Sequence, residues 1–193
     1  MAALVTRLAR FMALLGGAVL LALIAITCIS VLGRGLNTLG HSVLLNDVAP
    51  GLAEALLASG VAALTGDFEI VEAGIAFAVF AFLPICQLSA GHATVDIFTD
   101  QLPATVNRVL VAVWEVALTL VVLLIAWRLF DGLQGKYRNG ETTFLLQFPV
   151  WWAYAASFAA SVIAGVIALY AAGVRVAGLL TGRNDLTSGS MQQ

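Results

Sequence analysis

From Phe11 to Gly33 the chain carries no charged side chain, and three later stretches come close to the same condition. A helix that crosses a membrane needs about 20 predominantly apolar residues, because the hydrocarbon core is about 30 Å thick and a helix rises about 1.5 Å per residue. Four segments meet that demand: Phe11 to Leu32, Phe68 to Ser89, Ala104 to Leu129 and Phe148 to Ala172. Each can satisfy its backbone hydrogen bonds within itself, as lipid requires. The expected fold is an all-α integral membrane four-helix bundle.

Composition agrees. Of 193 residues, 61% are hydrophobic and 10% charged, with a mean hydropathy of +1.00, whereas about a quarter of an ordinary soluble domain is charged. A net charge of -2 and scattered Lys and Arg exclude the basic footprint of a nucleic-acid binder. The first apolar run, although preceded by Arg7 and Arg10, exceeds the roughly 7–15 residues of a signal-peptide core and is read as a retained span. Between the first two spans, Leu52 to Leu64 is too short to cross and is expected to form a helix on the membrane surface or against the bundle. The tail from Thr181 to Gln193 is polar and expected to be mobile. Arg7, Arg10, Arg108, Arg175 and Arg183 on one side outnumber Arg34, Arg128, Lys136 and Arg138 on the other, which places both termini in the cytoplasm.

The fourth span carries a face of small residues: Ala153, Ala156, Ser157, Ala160, Ser161, Ala164, Gly165 and Ala168. Such faces let helix backbones approach closely in lipid, either inside a bundle or against a partner protein. Trp114, Trp127, Trp151 and Trp152, with Arg34 and Arg128, have the character of interfacial anchors.

Little in the chain suits catalysis. Cys28 and Cys86 are expected at opposite ends of antiparallel spans, too far apart to pair. His41 and His92 fall in loops, so no paired intramembrane histidines are available for haem. Common hydrolase, zinc-protease and phosphate-loop motifs are missing from the sequence, and no metal or cofactor is expected. Glu115 is the one carboxylate well inside a span. An intramembrane carboxylate is a functional candidate by default, but it can equally be a structural group paired at a helix interface, with Thr119 one turn away. Glu69 and Glu72 open the second span, where carboxylates meet the positive end of the helix dipole.

Two blocks of sequence carry a further signal. Gly66-Asp67-Phe68-Glu69-Ile70-Val71-Glu72 opens the second span, followed by Gly91-His92-Ala93-Thr94-Val95-Asp96 and Leu102-Pro103. Arg138-Asn139-Gly140-Glu141-Thr142-Thr143 and Phe148-Pro149-Val150-Trp151-Trp152-Ala153-Tyr154 lead into the fourth. Together these resemble the small membrane subunit (DctQ type) of tripartite ATP-independent periplasmic, or TRAP, transporters. The resemblance implies a scaffold in the bacterial inner membrane, bound to a large permease subunit that holds the substrate and sodium sites. It also implies a periplasmic binding protein that delivers an organic acid or related solute. Pro149 is then expected in the first turn of the fourth helix, with Trp151, Trp152 and Tyr154 setting its depth. His92 and Asp96 either lie in a solvated loop or touch the large subunit. Two other readings remain: a self-contained small proton-coupled transporter using Glu115, and an intramembrane enzyme, for which no nucleophile and base are in view.

Overall fold

The computed structural model describes residues 2–58, 64–88 and 104–181. They form six helices: α1 (Ala2–Gly40), α2 (Val43–Val48), α3 (Pro50–Ala58), α4 (Asp67–Leu88), α5 (Ala104–Asn139) and α6 (Trp151–Thr181). Of these, α1, α4, α5 and α6 are long and apolar enough to cross a membrane, which makes the chain an all-helical membrane protein with four candidate spans.

Three spans outrun their apolar runs: α6 runs nine residues past the expected end at Ala172, through Arg175, to Thr181. Helix α1 continues past Arg34 to Gly40, and α5 continues ten residues beyond the expected end at Leu129, through Asp131, Lys136 and Arg138, to Asn139. Polar side chains end a hydrophobic stretch without breaking a helix; what stops α5 is Gly140, whose φ of +63° is the left-handed conformation that closes helices. Lys136 and Arg138 in its last turn favour the negative end of the helix dipole. The surface segment forms two pieces. Ser42 caps α2 by accepting a hydrogen bond from the Leu45 N–H (3.3 Å), and α3 returns against α1, where Leu57 lies over Gly40. Helix α3 covers the first part of the expected Leu52 to Leu64 helix; residues 59–63 lie outside the described residues.

The spans pack as an open row in the order α1, α4, α6, α5. Helices α4 and α6 are its inner members, and α6 is the more buried: 39% of its most apolar window is buried, against 17% for each of the other three. Small residues set the close approaches. Gly16 of α1 meets Ala81 of α4, Gly74 of α4 receives Leu23 of α1, and Gly165 of α6 receives Leu123 of α5. A core of Met12, Ala81 and Ala160 joins α1, α4 and α6. The small-residue face of α6 is therefore used within the chain: Ser157, Ala160, Ser161, Ala164, Gly165 and Ala168 are buried, Ala153 is half-buried and Ala156 is exposed.

The row is staggered. Gly16, six residues after Arg10, is level with Ala81, and Ala81 shares the core with Ala160. On the other side of α6, the Phe130–Phe158 ring pair and the Leu123–Gly165 contact place Arg128 of α5 close to the height of Ala160. The apolar run of α1 thus lies higher than that of α5, and a flat bilayer accommodates both if the helices lean together. Transmembrane helices tilt by about 20° on average, within roughly 0–40°.

Candidate functional site

The end of the row opposite the termini gathers most of the polar chemistry. Helix α1 brings Ser30 and Arg34 there, one turn apart on one face, and α4 begins there with Asp67. Asp67 Oδ2 accepts from Ser30 Oγ at 2.6 Å and from Arg34 Nη2 at 2.6 Å, while its Oδ1 accepts from the Phe68 N–H at 3.0 Å. The Arg34 guanidinium also lies 5.4 Å from the Phe68 ring centroid. Asp67 is 7% exposed, so this clasp joins α1 to α4 where a bare carboxylate would be costly. Changing Asp67 to Asn removes the charge and keeps the shape. Because Arg34 is partly solvated, the expected loss is about 1–2 kcal/mol, read as a lower unfolding midpoint in detergent, with Asn46→Ala on α2 as the comparison.

Glu69, two residues further along α4, does more than favour a helix dipole. Its two carboxylate oxygens accept from the backbone N–H groups of Leu145 (2.6 Å) and Leu146 (2.9 Å). This fastens the α5–α6 loop down onto α4. The loop is a hairpin-like strap. Thr142 bridges Pro149, the Thr143 N–H reaches the Phe148 carbonyl (2.9 Å), the Val150 N–H reaches the Glu141 carbonyl (3.0 Å), and Gln147 takes a φ of 56°. Pro149 is held in that bridge, so it stands just ahead of α6 instead of in its first turn. Its carbonyl accepts from the Trp152 N–H (3.1 Å). Lys136 and Asn139 both donate to the Glu141 carboxylate, which holds its pKa below the ordinary value, Lys136 contributing most. Tyr137 stacks edge-on against Trp151, and Trp151 against Trp152.

Beneath the strap lies an open-sided cleft of about 420 Å3 between α4, α5 and α6. Glu69, Glu72 and Thr143 line it toward the strap, with Ala76, Leu129 and Ser157 further from that end. Glu72 is exposed, and Ser157, 2% exposed, has a hydroxyl without a hydrogen-bond partner.

Toward the other end, Glu115 of α5 meets Arg175 of α6. Glu115 Oε2 is 3.0 Å from Arg175 Nη1, and the residues are 3% and 8% exposed. Thr119 lies one turn along, buried, its hydroxyl donating to the Glu115 carbonyl at 2.8 Å. Arg175 had passed as one positive residue near a span end; nothing local links it to a carboxylate 60 positions earlier, and only the antiparallel packing of α5 on α6 does so.

Arg34 and Glu69 are thus brought to one end of the row through separate contacts, and Glu115 lies far from both. His92 and Asp96 fall outside the described residues. Among the described residues no group of three or more His, Cys, Asp or Glu is arranged to hold a metal ion, and Cys28 and Cys86 are unpaired.

A family model described as "Tripartite ATP-independent periplasmic transporters, DctQ component" matches residues 23–181. Comparison with curated proteins and with solved structures returns no match.

Proposed function

We propose, since this chain belongs to the DctQ component family of tripartite ATP-independent periplasmic transporters, that it is the small scaffold subunit of a sodium-coupled importer of an organic acid or related solute. In this reading it does no chemistry of its own. It holds a large permease subunit in the inner membrane, with both termini in the cytoplasm and the strap end facing the periplasmic binding protein.

The observation that carries the reading is the family match over most of the chain. Two features support it. The four spans are uninterrupted helices, including α4 through Pro84, whereas substrate sites of secondary transporters are typically built from broken ones. The open row also leaves broad apolar faces, among them Trp114, Leu120, Leu124 and Trp127 on α5, for a neighbouring subunit or lipid. Glu115, committed to Arg175, acts here as a structural group and not as a carrier of protons.

The test is purification and reconstitution. The chain is expected to co-purify with a many-span permease encoded beside it. Sodium-driven uptake is expected only when permease, binding protein and this chain are all present. Uptake by vesicles containing this chain alone, or full uptake without it, would refute the proposal.

A further inference from the structure

We infer that the cleft under the strap binds a phospholipid with a primary ammonium headgroup, a phosphatidylethanolamine, with its acyl chain along the α4–α6 groove and its ammonium at Glu72.

The cleft has the size and make-up of a binding site. About 420 Å3 falls within the roughly 300–1,000 Å3 of small-molecule pockets, which are mostly apolar with a few polar groups that fix orientation. Its polarity is ordered by depth. Ala76 and Leu129 line the groove, while the carboxylates of Glu69 and Glu72 stand a turn or more nearer the end of the row. None of its lining residues is basic.

The two carboxylates are not equivalent. Both oxygens of Glu69 are taken by the strap's N–H groups. Glu72 is exposed toward the strap end, so the cleft presents an uncompensated negative charge there. The Ser157 hydroxyl, buried and without a partner, offers a donor to a carbonyl or ester oxygen deeper in the groove.

An amphiphile matches this order: tail along the groove, ester oxygen near Ser157, cation toward the strap end. A lysine from a neighbouring protein could meet Glu72, but its four-carbon stem would leave most of the cleft empty. Phosphatidylglycerol would bring a net negative charge to Glu72, and phosphatidylcholine a quaternary ammonium that cannot donate a hydrogen bond. The strap gains a reason for its shape as well. Phe144, 87% exposed and part of the cleft wall, gains apolar cover when a chain lies beneath it. The inference stands independently of the transport reading, since it depends only on this chain.

The experiment places the full chain in nanodiscs of equimolar phosphatidylethanolamine, phosphatidylglycerol and phosphatidylcholine. It then counts the lipids retained after detergent extraction by native mass spectrometry. A single retained lipid is expected, with phosphatidylethanolamine favoured by about fivefold, the order of one headgroup charge contact. Glu72→Gln should abolish the preference, and Ala76→Phe, which fills the groove, should remove the retained lipid. Glu54→Gln on α3 should change neither. Helicity by circular dichroism confirms that each variant is folded, and a photoreactive residue in place of Phe144, on the cleft wall, reports the occupant directly. Equal retention of all three lipids, a preference that survives Glu72→Gln, or a crosslink from position 144 to a polypeptide instead of a lipid would overturn the inference.

Discussion

Replacing Arg175 with Met is expected to destabilise the chain by about 3–5 kcal/mol, the cost of leaving one member of a buried ion pair without its partner. The geometry explains why the effect is large. Glu115 and Arg175 are 3% and 8% exposed, and among the described residues the second carboxylate oxygen, Oε1, has no hydrogen-bond partner and Arg175 is the cation that Glu115 meets. The informative comparison is the double variant Glu115→Gln with Arg175→Met. Removing both charges deletes the desolvation cost along with the attraction, and such replacements are often neutral or stabilising. Unfolding in detergent should show the single variant well below the wild type and the double variant near it. The same double variant separates the transport readings: a scaffold retains uptake with its partners, whereas a carrier that moved protons on Glu115 would lose it while still assembling.

Gly66→Ala is expected to cost about 2–3 kcal/mol and to loosen the strap. Gly66 has a φ of +82°, a conformation that L residues occupy at a cost of about 1–3 kcal/mol. A Cβ there would also collide with Leu146 Cγ, which must then move. Leu146 is held in place because its N–H donates to Glu69. The strain therefore falls on the contact that pins the strap, and amide hydrogen exchange at Leu145 and Leu146 should quicken relative to wild type. Unchanged exchange together with an unchanged midpoint would contradict this account of the turn.

The spans were legible in the sequence because lipid imposes one simple demand, length without charge, and residues 11–32 and 148–172 meet it openly. Their true ends were not. In α5 the stretch from Arg128 to Asn139 is polar enough to end a hydropathy window yet contains no proline, so the helix runs on until Gly140. The order of the row was also hidden. In water an apolar stripe reveals which face is buried, but in lipid both faces are apolar, and only small residues such as Gly16, Gly74 and Gly165 hint at close approach. Pairings were hardest of all. Asp67 lies in the block that opens the second span and Arg34 has the character of an interfacial anchor, yet their contact spans 33 positions. Glu69 was given to the dipole because the strap it holds lies 76 positions away.

The stagger along the row sets how a neighbour can lie against it. An upright helix placed across the broad side of four leaning ones would cross each at the angle of their lean, meeting every one at a different height. Its points of touch would trace a diagonal across the row instead of following any one helix. A companion that leaned equally would instead run alongside a single member for its whole length.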